Sequence, residues 1–209
     1  MKILVACEES QRVCKAFRSK GHEAYSCDIV MCSGGYAEYH IWRDVIDLLN
    51  GDCSFLTCDG KIHYVDRWDM IIAFPPCTYL SKAGANLLFR GHELNQERFD
   101  LGVRARDFFM AIYNADCSRI CIENPVPMKI FGLPMWSQCI EPYYFGVPVS
   151  KKTYLWLKGL PYLSPTKVVE AEYTFNTFPQ FCNGNGKSRQ RARSRTFEEV
   201  AEAMALSWG

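Results

Sequence analysis

Apolar residues in this chain cluster in short runs of strand length, separated by segments with helical spacing. Between the runs, residues 9–21 and about 95–114 carry apolar residues at helical spacing. This alternation predicts an α/β fold, in which a mostly parallel sheet is covered by helices on both faces. The four runs are "KILVAC" (2–7), "HEAYSCDI" (22–29), "DMIIAFPP" (69–76) and "RICIENP" (119–125).

The remaining segments predict smaller elements around that sheet. Residues 42–51 predict a short helix, residues 52–68 a hairpin that turns at Asp59-Gly60, and "TYLWL" a further strand. Ser10 is a candidate cap for the first helix, and Thr196 with Glu199 form a capping box for the last one. We find no linker or repeat. We therefore expect one domain over 1–209, with a core (1–127), an aromatic and basic region (128–195) and a C-terminal helix (196–209).

Composition and charge are those of a globular protein. Hydrophobic residues make up 48%, charged residues 22%, and the formal net charge is +1, so any polyanion must meet a local basic patch. The chain shows no signal peptide and no apolar stretch of about 18 residues, which predicts a cytoplasmic protein without a membrane span. Its eleven cysteines should therefore be reduced. Buried free thiols are favoured over structural zinc, because no C-x-x-C pair occurs, and nothing indicates an obligate protein partner.

Each predicted strand of the sheet ends in side chains capable of chemistry. Ligands of parallel sheets bind beyond the carboxyl ends of the strands, so these endings should lie together. They are Cys7-Glu8-Glu9, Asp28, Pro75-Pro76-Cys77 and Glu123-Asn124-Pro125.

The first strand and Asp28 suggest a cofactor of nucleotide type. A carboxylate about twenty residues after the first strand suits two ribose hydroxyls, although a solvated carboxylate is an equal alternative. The first turn, "CEESQ", lacks the glycines that let backbone approach a pyrophosphate. A dinucleotide is therefore disfavoured. S-adenosylmethionine, which has no phosphates, stays compatible, with Glu8 or Glu9 facing its amino group.

Cys77 and Glu123 are the candidate reactive groups. Two prolines stiffen the turn before Cys77, as a nucleophile requires, although at an ordinary pKa only about 3% of the thiol is ionised at pH 7. Burial of Glu123 would raise its pKa and let the protonated carboxyl donate to a ring nitrogen. An inert thiol and a salt-bridged glutamate are the alternatives. We predict that the two groups meet over one substrate ring.

A basic run, "SRQRARSR", places four arginines at a period of two. If the run is extended, all four side chains face one way and form a strip for phosphates or for an anionic cofactor. A solvated basic edge strand is the competing interpretation. The arginines are Arg189, Arg191, Arg193 and Arg195.

With "FPPCTYLS" and "IENP" in this order, the chain resembles the DNA cytosine-5 methyltransferases. In detail it is similar to small phage and prophage proteins described as cytosine methyltransferase-like, which share "ACEESQ", "AFPPCTYLS", "IENP", "LWLKGLP" and "AEAMA…WG". "RQRAR" looks like a variant of that family's Gln-x-Arg-x-Arg strand. Two features depart from the pattern, namely the first turn and the absence of a large target-recognition domain after the basic run.

The resemblance implies a Rossmann-like, S-adenosylmethionine-dependent methyltransferase fold. It implies that Cys77 adds to C6 of cytosine, that Glu123 binds N3 and the amino group, and that C5 receives the methyl. The substrate would be DNA, with a free cytosine nucleotide, or an inactive nucleic-acid- or nucleotide-binding relative, as alternatives. If the protein is phage-encoded, the compartment is the host cytoplasm.

The residues expected at the site fall into three groups. Catalytic roles are predicted for Cys77, Glu123, Arg191 and Arg193. Cofactor contacts are predicted for Cys7, Glu8, Glu9, Ser10, Asp28, Ile29, Asp44 and Pro75. Substrate contacts are predicted for Pro76, Thr78, Asn124, Pro125, Arg189 and Arg195, and no metal site is expected.

Overall fold

The structure, a computed structural model, describes residues 1–91, 93–182 and 186–209. The described strands are β1 (Lys2–Ala6), β2 (Glu23–Asp28), β3 (His40–Trp42), β4 (Cys53–Leu56), β5 (Ile62–Val65), β6 (Met70–Ala73), β7 (Phe89–Arg90), β8 (Glu93–Leu94), β9 (Ile120–Pro125), β10 (Gln138–Ile140), β11 (Val149–Ser150), β12 (Thr153–Lys158) and β13 (Tyr173–Thr174). The described helices are α1 (Arg12–Ser19), α2 (Ala85–Leu88), α3 (Gln96–Tyr113), α4 (Pro179–Cys182), α5 (Gly186–Ser194) and α6 (Glu198–Trp208).

Seven strands form the main sheet, in the order β10-β12-β9-β6-β1-β2-β3. The five strands from β9 to β3 are parallel, whereas β12 runs antiparallel to both β9 and β10. In the β9–β12 register, Glu123 lies opposite Leu155 and Asn124 lies opposite Tyr154. The start of β12 therefore lies beside the carboxyl end of β9.

The sheet is buried on both faces, which explains why its strands are almost continuously apolar. In β1, Ile3 and Val5 pack under α1 and α6, while Leu4 and Ala6 pack on the opposite side with residues of α3. The α1/α6 side includes Phe17, Met204 and Trp208, and the α3 side includes Phe109, Trp68 and Trp156. The predicted α/β fold, a mostly parallel sheet covered by helices on both faces, is confirmed.

The elements predicted from the clearest sequence patterns are present in the structure. The four central strands, both long helical segments, the "TYLWL" strand and the hairpin of β4 and β5 are all present. Gly60, in the hairpin turn, has φ 87°, a left-handed conformation that favours glycine. At the start of α3, the side chain of Asn95 accepts a hydrogen bond from the Arg98 amide and caps the helix.

Three local predictions were wrong. Residues 42–51 contain the end of β3 and a 3₁₀ turn at Ile46–Leu48, not an α-helix. The capping box at Thr196 and Glu199 does not form, because Phe197 occupies the cap position of α6 and makes no side-chain cap bond. Ser10 does not cap α1, whose cap position is Gln11, also without a side-chain cap bond.

The basic run is helical, so its prediction as an extended strip, or as a family-like strand, was also wrong. Residues 186–194 form α5, and the strand that pairs with β9 is β12. Arginine, glutamine and alanine are good helix formers. The helix also brings Arg191 close to Arg195, four residues on, and both reach the same carboxylate, which an extended chain would not favour.

Candidate active site at the carboxyl ends of the strands

The turn after β1 is held by the buried carboxylate of Glu8. The Glu8 carboxylate accepts hydrogen bonds from the Val13 amide (2.6 Å) and the Cys14 amide (3.1 Å), two of the free N–H groups at the start of α1. Burial raises the pKa of Glu8 to about 7, against the lowering effect of these two bonds. Glu8 was predicted as a cofactor ligand, and the structure places it as the cap of α1.

A glycine approaches this turn from the facing loop. A Cβ added at Gly34 would lie 2.6 Å from the side chain of Gln11 and 2.7 Å from the carbonyl oxygen of Ser10. The buried Gln11 side chain donates to the Tyr36 carbonyl and accepts from the Tyr36 amide. Gly34 therefore lets the facing loop pack closely against the first turn.

Asp28 ends β2 beside uncovered apolar side chains. Its carboxylate accepts from the Val30 amide at 2.9 Å, and burial raises its pKa. The neighbouring Ile29 is 72% exposed and Trp42 is 59% exposed, and the Trp42 indole donates to the Ile29 carbonyl. Asp44 lies at the end of β3, where its carboxylate accepts from the Ile46 amide.

The thiol of Cys7 joins this group from the end of β1. Burial raises the pKa of Cys7, and the charges of Asp28 and Asp44 raise it further, so both carboxylates lie within electrostatic reach of the thiol. Cys7 has φ 59° and packs partly against the core. Three of the predicted cofactor residues are thus brought together.

Glu9 lies on the same side but is already bound. Its carboxylate accepts two hydrogen bonds from Arg191 (3.0 and 2.9 Å) and one from Arg195 (3.2 Å). Burial acts to raise the pKa of Glu9, but the bonds from Arg191, Ser33 and Arg195 prevail and hold it below its usual range. Arg195 also donates to Ser33, so α5 is tied to the ends of β1 and β2.

The loop after β6 presents Cys77. Pro75 is buried and Pro76 is exposed, and the Leu80 and Ser81 amides both donate to the Cys77 carbonyl. The mostly buried thiol has a raised pKa because of burial and of the nearby Glu123 carboxylate, an effect that the Lys151 ammonium opposes. The resting group is therefore the thiol, with a carboxyl and an ammonium group within electrostatic reach.

Glu123 projects from β9 towards the α1/α6 side of the sheet. Burial raises its pKa, and Lys151 again opposes the rise. Among the described residues, none donates a hydrogen bond to this carboxylate. Its charge acts on the Cys77 thiol, so the two groups lie within electrostatic reach of each other. In its protonated form, the Glu123 carboxyl could donate a hydrogen bond to a ligand.

The cavity beside Glu123 is smaller than a pyrimidine. The space open to a water-sized molecule is about 30 Å³, room for one or two waters. Its lining includes Glu123, Lys151 and Thr153 and is closed by residues 194–197, whereas Cys77 lies outside the lining. A base beside Glu123 would therefore need more room than this cavity offers, and that Cys77 and Glu123 meet over one substrate ring stays a prediction.

The other predicted residues lie around this centre. The buried Asn124 donates to the Pro125 carbonyl, and its own side-chain oxygen has no partner. The backbone carbonyl of the exposed Thr78 accepts a hydrogen bond from the Arg98 guanidinium. Arg193 lies over the Phe175 ring at 4.5 Å and donates to Asn176. Arg189 is exposed on α5.

Lys151 is a site residue that the sequence analysis missed. It precedes β12, and the buried Glu141 accepts hydrogen bonds from the Lys151 amide (2.6 Å) and the Ser150 hydroxyl (3.3 Å), which fixes the start of the strand. The Lys151 ammonium lies 4.8 Å from the centroid of the Phe175 ring. The available signal was "SKK" directly before "TYLWL", but only the β9–β12 pairing shows that this end lies beside Glu123.

Two other kinds of site were sought in the part of the chain that the structure describes. No group of three or more His, Cys, Asp and Glu side chains there could hold a metal ion, and the ten cysteines whose side chains are described are free thiols. No described helix has both the length and the apolar character needed to cross a membrane.

Comparison with known proteins gives similarity in chain path alone. No protein-family model matches the chain, and no curated protein matches its sequence. One similar solved structure is provisionally described as a DNA modification methyltransferase encoded within an E. coli prophage, with a TM-score of 0.46 and 12% identity over 81% of this chain and 52% of that one. Another is a mutant of Spodoptera frugiperda DNMT2, with a TM-score of 0.39 and 14% identity over 81% of this chain and 54% of that one. The chain spans about half the length of these structures.

Proposed function

We propose that this protein is an S-adenosylmethionine-dependent methyltransferase that acts on C5 of cytosine in DNA through a covalent bond to Cys77. The observation that carries the proposal is the grouping of a thiol, a carboxyl with a raised pKa and an ammonium group at the carboxyl ends of β6, β9 and the start of β12. Nucleophile, acid and cation are the groups that addition to an electron-poor ring requires.

The β2 end fits the nucleoside part of such a cofactor. Asp28 offers a partly buried carboxylate for the ribose hydroxyls, and the exposed side chains of Ile29 and Trp42 offer apolar surface for a purine ring. S-adenosylmethionine held there would supply an electrophilic methyl group. For its amino group, Glu9 would first have to exchange one of its arginine partners, because the carboxylate is already bound.

Cys77 and Glu123 would then act on the base. The Cys77 thiol would give its proton to water, and the thiolate would form a bond to C6 while the electrons of the C5–C6 double bond move to C5. Glu123, in the protonated form that its raised pKa favours, would donate a hydrogen bond to N3 and so stabilise the charge that develops on the ring. C5 would take the methyl group as the sulfonium–methyl bond of the cofactor breaks and a neutral thioether is left. Water would then accept the C5 proton, the double bond would re-form and Cys77 would leave as the thiolate. The Lys151 ammonium favours the thiolate that begins this sequence.

Covalent trapping tests the proposal directly. An oligonucleotide that contains 5-fluorocytosine cannot lose its C5 substituent as a proton, so Cys77 should remain attached to it in the presence of S-adenosylmethionine. We expect wild-type protein to give a stable adduct and to transfer tritiated methyl to unmodified DNA. The Cys77→Ser variant should do neither. Cys58→Ser is the matched control, because Cys58 is also partly exposed but lies near the β4–β5 turn.

The pH dependence of trapping separates the role of Lys151 from a structural one. Without the ammonium group, in Lys151→Met, the pKa of Cys77 should rise, so trapping should slow at neutral pH and recover towards the wild-type rate in alkali. A pH-independent loss would show that Lys151 acts in another way. Methyl transfer by Cys77→Ser, or no adduct with the wild type, would contradict the proposed mechanism. Transfer of tritiated methyl to free dCMP but not to DNA would show that the substrate is the free nucleotide.

A further inference from the structure

The segment from the end of β9 to the loop after β12 has a positive charge that the net charge of the whole chain conceals. Residues 124–169 contain five lysines and one acidic residue, Glu141, in a protein whose net charge is only +1. Glu141 is buried and bound by backbone and hydroxyl donors. The outer surface of this segment is therefore positively charged, which suits a polyanion.

An exposed aromatic pair lies within this segment. Trp136 stacks on Tyr154 with ring centroids 4.5 Å apart and ring planes at 14°. Trp136 is 37% exposed and its neighbour Met135 is 82% exposed. One face of the indole is covered by the tyrosine, so the exposed part belongs to its other face and edges. We call Trp136 and Tyr154 the aromatic platform.

The platform is held rigidly from both sides of Trp136. Before it, the Pro134 carbonyl accepts from the buried Trp156 indole at 2.8 Å. After it, the Ser137 amide donates to the Leu155 carbonyl, and the Ser137 hydroxyl accepts from the Leu157 amide at 3.0 Å. A pre-ordered ring loses little conformational entropy when a ligand stacks on it.

The platform lies next to the proposed active site. Tyr154 of β12 lies between Asn124 of β9 and Cys139 of β10 in the strand register. All three side chains are on the face of the sheet opposite Glu123, because side chains alternate along a strand. Tyr154 directly follows Thr153, which lines the cavity beside Glu123. Lys152, also exposed, lies within electrostatic reach of the Cys139 thiol. A nucleic-acid strand that passes over the carboxyl end of β9 and the start of β12 can contact both faces of the sheet.

We propose that the aromatic platform stacks a nucleobase next to the target base on a single-stranded or locally opened nucleic-acid strand, and that Lys152 contacts its phosphate. This rests on the proposed function, since it concerns how the same site holds its substrate. Every base has a face that stacks on an aromatic ring, so the contact would add affinity with little sequence preference. The surplus of lysines favours this ligand over an apolar protein segment.

Fluorescence anisotropy with a labelled, cytosine-containing single-stranded DNA of about 16 nucleotides tests the platform. We expect Trp136→Ala to weaken binding by about 5- to 150-fold, the range for the loss of one base–aromatic stack. Trp136→Phe should stay close to the wild type because it keeps an aromatic face. Tyr64→Ala is the control, since Tyr64 is 59% exposed but lies on the β4–β5 hairpin.

Salt dependence distinguishes the two contacts. In a plot of log affinity against log salt concentration, Trp136→Ala should keep the wild-type slope, whereas Lys152→Ala should reduce it by about 0.7 for single-stranded DNA. Circular dichroism and thermal melting establish that each variant is folded. Should Trp136→Ala reduce binding no more than Tyr64→Ala, or Trp136→Phe lose as much as Trp136→Ala, the platform is refuted.

The two proposals fail separately. Wild-type protein that binds the DNA and forms the Cys77 adduct, with Trp136→Ala unchanged in affinity, refutes the platform alone. Wild-type protein that binds no nucleic acid and forms no adduct refutes the proposed function, and the platform with it.

Discussion

Substitution of Glu8 by glutamine tests whether burial governs the ionisation of the carboxylate that caps α1. In the structure Glu8 is buried and accepts two backbone hydrogen bonds at the start of α1. Glu8→Gln keeps the shape and an acceptor oxygen but removes the ionisation. The variant should therefore lose the part of the pH dependence of stability that comes from this one group.

The size of that part follows from the pKa of Glu8, which burial raises from the ordinary 4.5 to about 7. A raised pKa means that the folded state binds the proton more tightly, so the contribution to stability is complete below pH 4.5 and is lost as the pH rises through 7. The difference corresponds to about 3 kcal/mol. About 2.5 kcal/mol of it falls between pH 5 and pH 8.

Urea unfolding at pH 5, 6, 7 and 8 measures this effect. We expect the free energy of unfolding of the wild type to fall by about 2.5 kcal/mol more than that of Glu8→Gln over this range. Glu202→Gln, an exposed position on α6, should follow the wild type. Parallel curves for wild type and Glu8→Gln would show that burial does not raise the pKa of Glu8, and the reasoning from this shift would fail.

Two further variants test the packing and the closure of the site. Gly102→Ala on α3 should lower stability by about 1–3 kcal/mol, because the new methyl would overlap the Phe131 ring. Phe131→Leu, added to Gly102→Ala, should recover most of the lost thermal midpoint. An unchanged midpoint in Gly102→Ala alone would contradict the close packing. Arg191→Ala should loosen α5 by about 1 kcal/mol, through loss of the partly exposed pair with Glu9, and speed amide exchange in the helix about fivefold. Arg189→Ala on the same helix should leave exchange unchanged, and equal effects of the two variants would rule out the Glu9 contact as the cause.

Patterns that repeat over many residues predicted structure well in this chain. The apolar strands, the helix at 96–113 and the Asp59-Gly60 hairpin each depend on local chemistry that tertiary contacts reinforce. The prediction for the basic run was wrong because arginines at every second position were taken to indicate an extended chain. The helix preference of its residues and the shared contact of Arg191 and Arg195 with Glu9 favour a helix instead. The cap at Ser10 failed because a buried carboxylate two residues earlier makes the bonds instead.

The sequence by itself determined the α/β alternation and the placing of Cys77 and Glu123 after two buried strands, because strand ends and prolines are local features. Tertiary structure alone decided which groups accompany them. The antiparallel pairing of β12 with β9 brings Lys151 to Glu123 from a part of the chain 28 positions away, and the docking of α5 brings two arginines to Glu9. Such long-range pairings depend on the packing of the whole sheet, which no short segment encodes.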